Sequence, residues 1–329
     1  MLYGHGDDTY RYKDIRLNFS SNIPTFVDLS ELEEYLRSRI SVIHSYPDPS
    51  ASVLEAEIAH FIGINPNQVM VTSGATEAIY LIAQAVSSLS SHERGKLPTF
   101  TVQHPTFSEY ESACKIFGME EAPGGNLCWL CNPNNPTGEF FDEDYVRELA
   151  RRHQWLVIDQ SYEDYALRQL HDVDALPNVI CLHSMTKKYC IPGLRLGYIT
   201  ASVDVIAMLR RFCRPWSVNA LAIEAGLWLM EYRPQWIDIP TYLSEAQRLR
   251  KSLNNIPGIH VCETQTNFML CTIDGHTAAE LKDYLAKQHG ILIRDASNFS
   301  GLSPHHFRVA AQTPEADDEL VRAITNYAL

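Results

Sequence analysis

The stretch QVMVTSGATEAIYLIAQAVSS, residues 68–88, carries two hydrophobic periods joined by a polar break. Residues 68–72 form a short, β-branched apolar run, which predicts a strand. Ser73-Gly74 then interrupts the chain, and apolar residues return at helical spacing, which predicts a helix from Ala75 to about Ser88. A strand feeding straight into a helix is the first half of a crossover unit, and the pattern recurs downstream. TFTVQ (99–103) precedes a helical pattern over about 106–117. LCWLC (127–131) precedes a Pro/Asn/Gly loop and a helix from Asp142. WLVID (155–159), NVICL (178–182) and LRLGYIT (194–200) read as further strands. Strands separated by helices predict an α/β fold: a mostly parallel sheet covered by helices in three layers.

Beyond residue 230 the pattern changes. A long helix is expected over 234–254. Strands follow at 259–262, 267–273, 291–294 and 307–310, with helices near 277–289 and 315–327. These form a smaller α+β lobe. LNFSSNIP reads as extended and 29–40 as helical, so the N-terminal forty residues are expected to join it. The expected division is a large lobe of residues 41–230 and a small lobe of 1–40 plus 231–329.

The bulk composition narrows the function. With 329 residues, 45% of them hydrophobic and 20% charged, the chain has an ordinary soluble composition and room for a large core. A net charge of −13 disfavours non-specific binding to nucleic acid or to an anionic membrane, so any anionic ligand needs a local basic cluster. No apolar run approaches eighteen residues, and MLYGHGDDTYRYKD lacks a basic-then-apolar leader, so neither a membrane span nor a secretory signal is expected. Eight cysteines without framework spacing suit a reducing compartment, and a cytoplasmic location is expected. Cys128 and Cys131 form a CxxC, but residues three apart on a strand face opposite ways, so they read as core thiols rather than a metal site.

In an open α/β sheet, ligands sit beyond the carboxyl ends of the strands. Four polar loops fall there: SGAT after 68–72, NPNNPTG after 127–131, DQSY at the end of 155–159 and HSMTK after 178–182. Taken singly, each has a structural explanation. Thr76 can cap a helix, Asp159 can cap a turn, Tyr162 can pack in the core, and NPNNPTG can be only a tight turn. Taken together, they meet the needs of pyridoxal phosphate. That cofactor requires a lysine amine for its aldehyde, a carboxylate for its ring nitrogen, a donor for its ring oxygen, a flat side chain against the ring and donors for a phosphate dianion. Lys187 supplies the amine, Asp159 the carboxylate, and Tyr162 and Asn135 the ring-oxygen donors. Phe107 supplies the face. Ser184, Thr186, Arg195 and the turn at Gly74, Ala75 and Thr76 supply the phosphate site.

With those motifs in order, the chain resembles the class I/II pyridoxal-phosphate aminotransferases of fold type I. TSGATEAIY, CNPNNPTG, an aspartate with a tyrosine three later, and S-x-T-K with an arginine eight after the lysine all match that pattern. The match singles out Lys187, since Ser184 lies three before it and Arg195 eight after; Lys188 fits neither spacing and is expected to face away. Gln160 departs from the pattern, where many relatives have Glu. More narrowly, HGDD, LNFSSNI, SYPDP, HPTFSEYE, SMTKKYCIPGLRLGY, RPWSVNALA, TNFML, GILIRDASNF and FRVAAQTPEADDEL resemble the threonine-phosphate decarboxylases, with the histidinol-phosphate aminotransferases as nearest cousins. The segment SSNIPTF is shorter than in that family. The resemblance implies decarboxylation of O-phospho-L-threonine to (R)-1-amino-2-propanol phosphate, used in cobalamin biosynthesis, with transamination of the histidinol-phosphate type as the alternative. It implies substrate contacts by Arg308, Arg294, Asn22 and His5. It also implies a homodimer in which Tyr46 reaches the cofactor phosphate of the second subunit.

Two other classes are weaker matches. Ser184-Met185-Thr186-Lys187 also satisfies the S-x-x-K of serine acylases, and Ser217-Val218-Asn219 mimics their second element. No K-T-G follows, and Asp159, Tyr162 and NPNNPTG go unexplained. A cofactor-binding transcription regulator would need a basic DNA-binding segment that this acidic chain lacks.

Overall fold

A computed structural model describes residues 6–92, 97–171, 173 and 175–328. Its centre is a seven-stranded sheet: β1 (Val69–Thr72), β2 (Thr99–Val102), β3 (Glu120–Glu121), β4 (Leu127–Cys131), β5 (Trp155–Asp159), β6 (Val179–His183) and β7 (Gly197–Ala201). The order across the sheet is β1-β7-β6-β5-β4-β2-β3, and every neighbour is parallel except β7, which opposes both β1 and β6. This is the helix-covered, mostly parallel α/β sheet expected from the alternating pattern. Leu156, Val157 and Ile158 of the central β5 are fully buried, as a strand covered on both faces must be. Cys128 packs with Val146 and Ile158 on one face, while Cys131 packs with Trp129 and Val157 on the other, so the two thiols lie on opposite sides of the sheet.

The second lobe is an antiparallel sheet in the order β10-β11-β9-β8, built from β8 (Ile259–Val261), β9 (Phe268–Ile273), β10 (Arg294–Asp295) and β11 (His306–Ala310). The strand expected at 291–294 is divided. Ile291–Leu292 pairs in parallel with Leu17–Asn18, and the chain then changes partner to β11 at Arg294. The extended N-terminal segment is thereby attached to this lobe. We propose a division into a large and a small lobe near residues 40 and 230. The helix Ser30–Ser38 packs on the large-lobe side, because Leu32 is buried with Leu54, Val69 and Leu229.

Two other boundaries differ from expectation for local reasons. The long helix begins at Ile239 rather than 234, with Pro240 in its first turn and Arg233 left-handed at the end of the preceding helix. The strand expected at 194–200 begins only at Gly197. A 3₁₀ turn occupies Pro192–Leu194, and Arg195 takes φ +57°.

Leu156→Ala, at the centre of the doubly covered sheet, is expected to cost about 2–5 kcal/mol. The check is the midpoint of urea unfolding; a midpoint equal to that of the parent chain would contradict the burial.

Candidate active site

A cavity of about 730 Å³ opens at the carboxyl ends of the parallel strands, between the two lobes. The loop after β1 enters it through Gly74, whose φ of +78° is left-handed. A Cβ at Gly74 would also stand 2.9 Å from an Arg195 guanidinium nitrogen, so the glycine admits that group against the backbone. From Gly74 the helix runs to His92, and Ala75 and Thr76 of its first turn line the cavity. Ser184 and Thr186, whose hydroxyls lie 2.7 Å apart, line it beside Arg195. Free helix N–H groups, two hydroxyls and a guanidinium make a site for a phosphate dianion.

Asp159 ends β5 with its carboxylate in the cavity and its side chain almost fully buried. Oδ2 accepts from the Tyr110 hydroxyl at 2.7 Å, and Oδ1 accepts from the Ser161 backbone N–H at 2.9 Å. Tyr110 is held by stacking on Trp129 at 5.1 Å. Phe107 lines the same wall and meets Tyr110 edge-on at 5.7 Å. Hydrogen bonds to both oxygens fix the orientation of the carboxylate in the cavity wall.

Lys187 reaches into the cavity, and its Nζ donates to the Ser21 carbonyl at 2.8 Å, 5.8 Å from the centre of the Tyr162 ring. Burial, aided by the positive charges of Arg308 and Arg195, pulls its pKa down to about 8. Lys188 points elsewhere, into an ion pair with Asp164 at 2.7 Å. The two adjacent lysines thus have different environments, and only Lys187 has that of a nucleophile.

The small lobe supplies the remaining wall. Arg294 and Arg308 sit directly opposite each other in the β10–β11 register, and both line the cavity. Arg308 donates to Asn135 Oδ1 and, at 2.7 Å, to the Ser20 carbonyl; its Nε has no partner. Because Asn135 accepts through Oδ1, its Nδ2 is left as the donor. Tyr162 is buried, which raises its phenol pKa to about 12 and keeps it a proton donor. Asn22 is fully buried beside Tyr162, between the cavity-lining Ser21 and Ile23, and its amide lacks a well-formed hydrogen bond. Tyr46 lies outside this cavity, 85% exposed and packed on Trp216. His5 falls outside the described residues.

Most of the predicted residues therefore meet at one place. Sequence reading passed over Tyr110, Ser161, Ser20 and Ser21. Tyr110 had a readable signal only in its nearness to Phe107 in HPTFSEY; Phe107 stands just before the helix Glu109–Ile116 and Tyr110 in its first turn. The Ser20 and Ser21 contributions are backbone carbonyls, to which side-chain identity gives no clue.

The aminotransferase class I and II family model matches residues 14–123 and 119–324. The chain belongs to that family. Members are pyridoxal-phosphate enzymes, and the cavity fits the group: an anion site at Gly74–Thr76 and Arg195, a carboxylate at Asp159, and an amine of lowered pKa at Lys187. Among curated relatives, the histidinol-phosphate aminotransferase of Thermoanaerobacter pseudethanolicus is 29% identical over 97% of this chain and 94% of its own. The threonine-phosphate decarboxylase of Salmonella typhimurium is 29% identical over 95% of this chain and 91% of its own. The crystal structure of L-threonine-O-3-phosphate decarboxylase from Porphyromonas gingivalis superposes with a TM-score of 0.86 at 33% identity, covering 94% of this chain and 99% of that one.

Lys187→Ala is expected to abolish the visible absorption that pyridoxal phosphate gains on binding, whereas Lys188→Ala keeps it. In the parent chain, the rate of cofactor capture should climb through pH 8 rather than near 10.5, because the amine loses its proton there. Arg195→Gln should weaken cofactor binding by roughly 10- to 100-fold, the value of a charge-assisted hydrogen bond; equilibrium titration of the apo chain measures it.

Proposed function

We propose that this family member decarboxylates O-phospho-L-threonine to (R)-1-amino-2-propanol phosphate. The observation that carries the reading is the pair Arg294 and Arg308. These are two buried guanidiniums on adjacent strands facing one cavity, neither in an ion pair among the described residues. Burial, then the charge of Arg308, lowers the Arg294 pKa to about 10. Two such cations on one wall call for a dianionic group, such as a phosphate ester, on the substrate. The 33% identity to a decarboxylase of known structure supports the same choice.

Bound pyridoxal phosphate supplies an electron sink for the pair left on Cα when a bond there breaks. The protein decides which bond that is. The bond held perpendicular to the ring has the overlap needed to break, so the placement of the anions selects the reaction. Guanidiniums anchoring the phosphate ester leave the carboxylate free to take the perpendicular position. It departs as carbon dioxide, and Lys187 Nζ is placed to return a proton to Cα. With the cofactor bound, the Tyr162 hydroxyl and Asn135 Nδ2 would donate to its ring oxygen, and the Asp159 carboxylate would accept from its ring nitrogen.

The reading includes a homodimer. Tyr46 and Trp216 are exposed side by side beyond the chain's own cavity, where a second copy could take up the tyrosine. The second reading is an aminotransferase of the histidinol-phosphate type, favoured by relatives of that name at the same 29% identity.

Product analysis separates the two. Release of carbon dioxide and aminopropanol phosphate from O-phospho-L-threonine is the expected result. Amino transfer from histidinol phosphate to a 2-oxo acid, without carbon dioxide, would establish the alternative. Arg294→Gln should raise KM for the phosphorylated substrate by roughly 10- to 100-fold, the value of a charge-assisted hydrogen bond, while cofactor absorbance is retained.

A further inference from the structure

We infer that three consecutive side chains, Glu163, Asp164 and Tyr165, position Lys187 for the cofactor, with Lys188 and His183 as their partners. This rests on the assignment of Lys187 as the cofactor lysine. The segment 159–165 begins with Asp159, carries Tyr162 and continues into a short 3₁₀ turn at Glu163–Tyr165. Each residue of that turn grips the lysine segment. Glu163 Oε1 meets His183 Nδ1 at 2.6 Å, Asp164 Oδ1 meets Lys188 Nζ at 2.7 Å, and the Tyr165 hydroxyl donates to the Lys187 carbonyl at 2.7 Å.

The grips are braced in turn. Glu163 Oε2 accepts from Gln160 Nε2 at 3.0 Å; His183 Nε2 lies 3.1 Å from the Thr200 hydroxyl, and its ring stacks on Tyr198 at 4.5 Å. Tyr165 is only 1% exposed, so its hydroxyl has no competing bulk water. The lysine turn itself is short, Met185–Lys188, and is tied on its other side by the Thr186 N–H, which donates to the Leu196 carbonyl at 3.2 Å. The acidic turn ties the amine to the segment that presents Asp159 and Tyr162, so the three cofactor contacts move as one body. Lys188 thus has a use: its ammonium anchors the turn whose neighbouring side chain faces the cavity. Gln160, the departure from the family pattern, belongs to the brace.

The test is the rate at which the visible absorption forms when pyridoxal phosphate is added to the full-length apo chain, followed by kcat and KM. Tyr165→Phe, which removes one hydroxyl, and Lys188→Met should each slow capture by roughly 10- to 100-fold, the cost of a small misplacement of a reacting group. Both should lower kcat with KM nearly unchanged, and Lys188→Arg should restore most of the rate. Parent-like capture rates in both variants, or a loss in Lys188→Arg as deep as in Lys188→Met, would overturn the inference. If Lys188→Met does not fold, Tyr165→Phe decides alone. Retention of the absorption by Lys187→Ala would instead overturn the cofactor assignment on which the inference rests.

Discussion

A lysine set in a cavity with three arginines lining the same space, and with no carboxylate in an ion pair with it among the described residues, is the constraint around which this molecule is organised. Four cations lining one cavity repel one another, and removing them from water has its own cost. The fold relieves that strain in two ways. Lys187 sheds its proton more readily, at a pKa of about 8, and carbonyls of the N-terminal segment accept from Lys187 and Arg308. The remainder is left for ligands. A cavity lined by these cations favours anionic ligands, and in a chain of net charge −13 that basicity is a local feature.

The sheet was the most legible part of the sequence. Strands buried on both faces need unbroken apolar runs, and LCWLC, WLVID and VICLH show them without ambiguity. The loops at their carboxyl ends were legible for a related reason: polar residues directly after such runs have few scaffold uses. Boundaries set by backbone conformation were not legible. Arg195 is left-handed and delays β7, and Ile291–Asp295 divides between two partners; neither follows from hydrophobic period.

The candidate site was readable where side-chain chemistry defines it. Lys187, Asp159, Tyr162 and Asn135, chosen by type and position, all line the one cavity. What escaped was the supporting structure: Tyr110 behind Asp159, the Ser20 and Ser21 carbonyls, and the Tyr165 bond to a backbone oxygen. Contacts of this kind depend on which elements the fold brings together across long stretches of chain. Within the aminotransferase class I and II family, relatives of both names share the same identity with this chain.

Gly138 closes the NPNNPTG loop at φ +75°, and a Cβ there would lie only 2.0 Å from the Thr264 hydroxyl. Its carbonyl accepts from the Gln265 backbone N–H at 2.9 Å, and the Gln265 side chain accepts from the Phe140 N–H at 2.9 Å. The loop that carries Asn135 on the large sheet is therefore stitched to the small lobe just before β9, while Asn135 itself is bonded to Arg308 from β11. This makes the loop a rivet: the same few residues that present Asn135 to the cavity also tie the large sheet to the strands that carry Arg308.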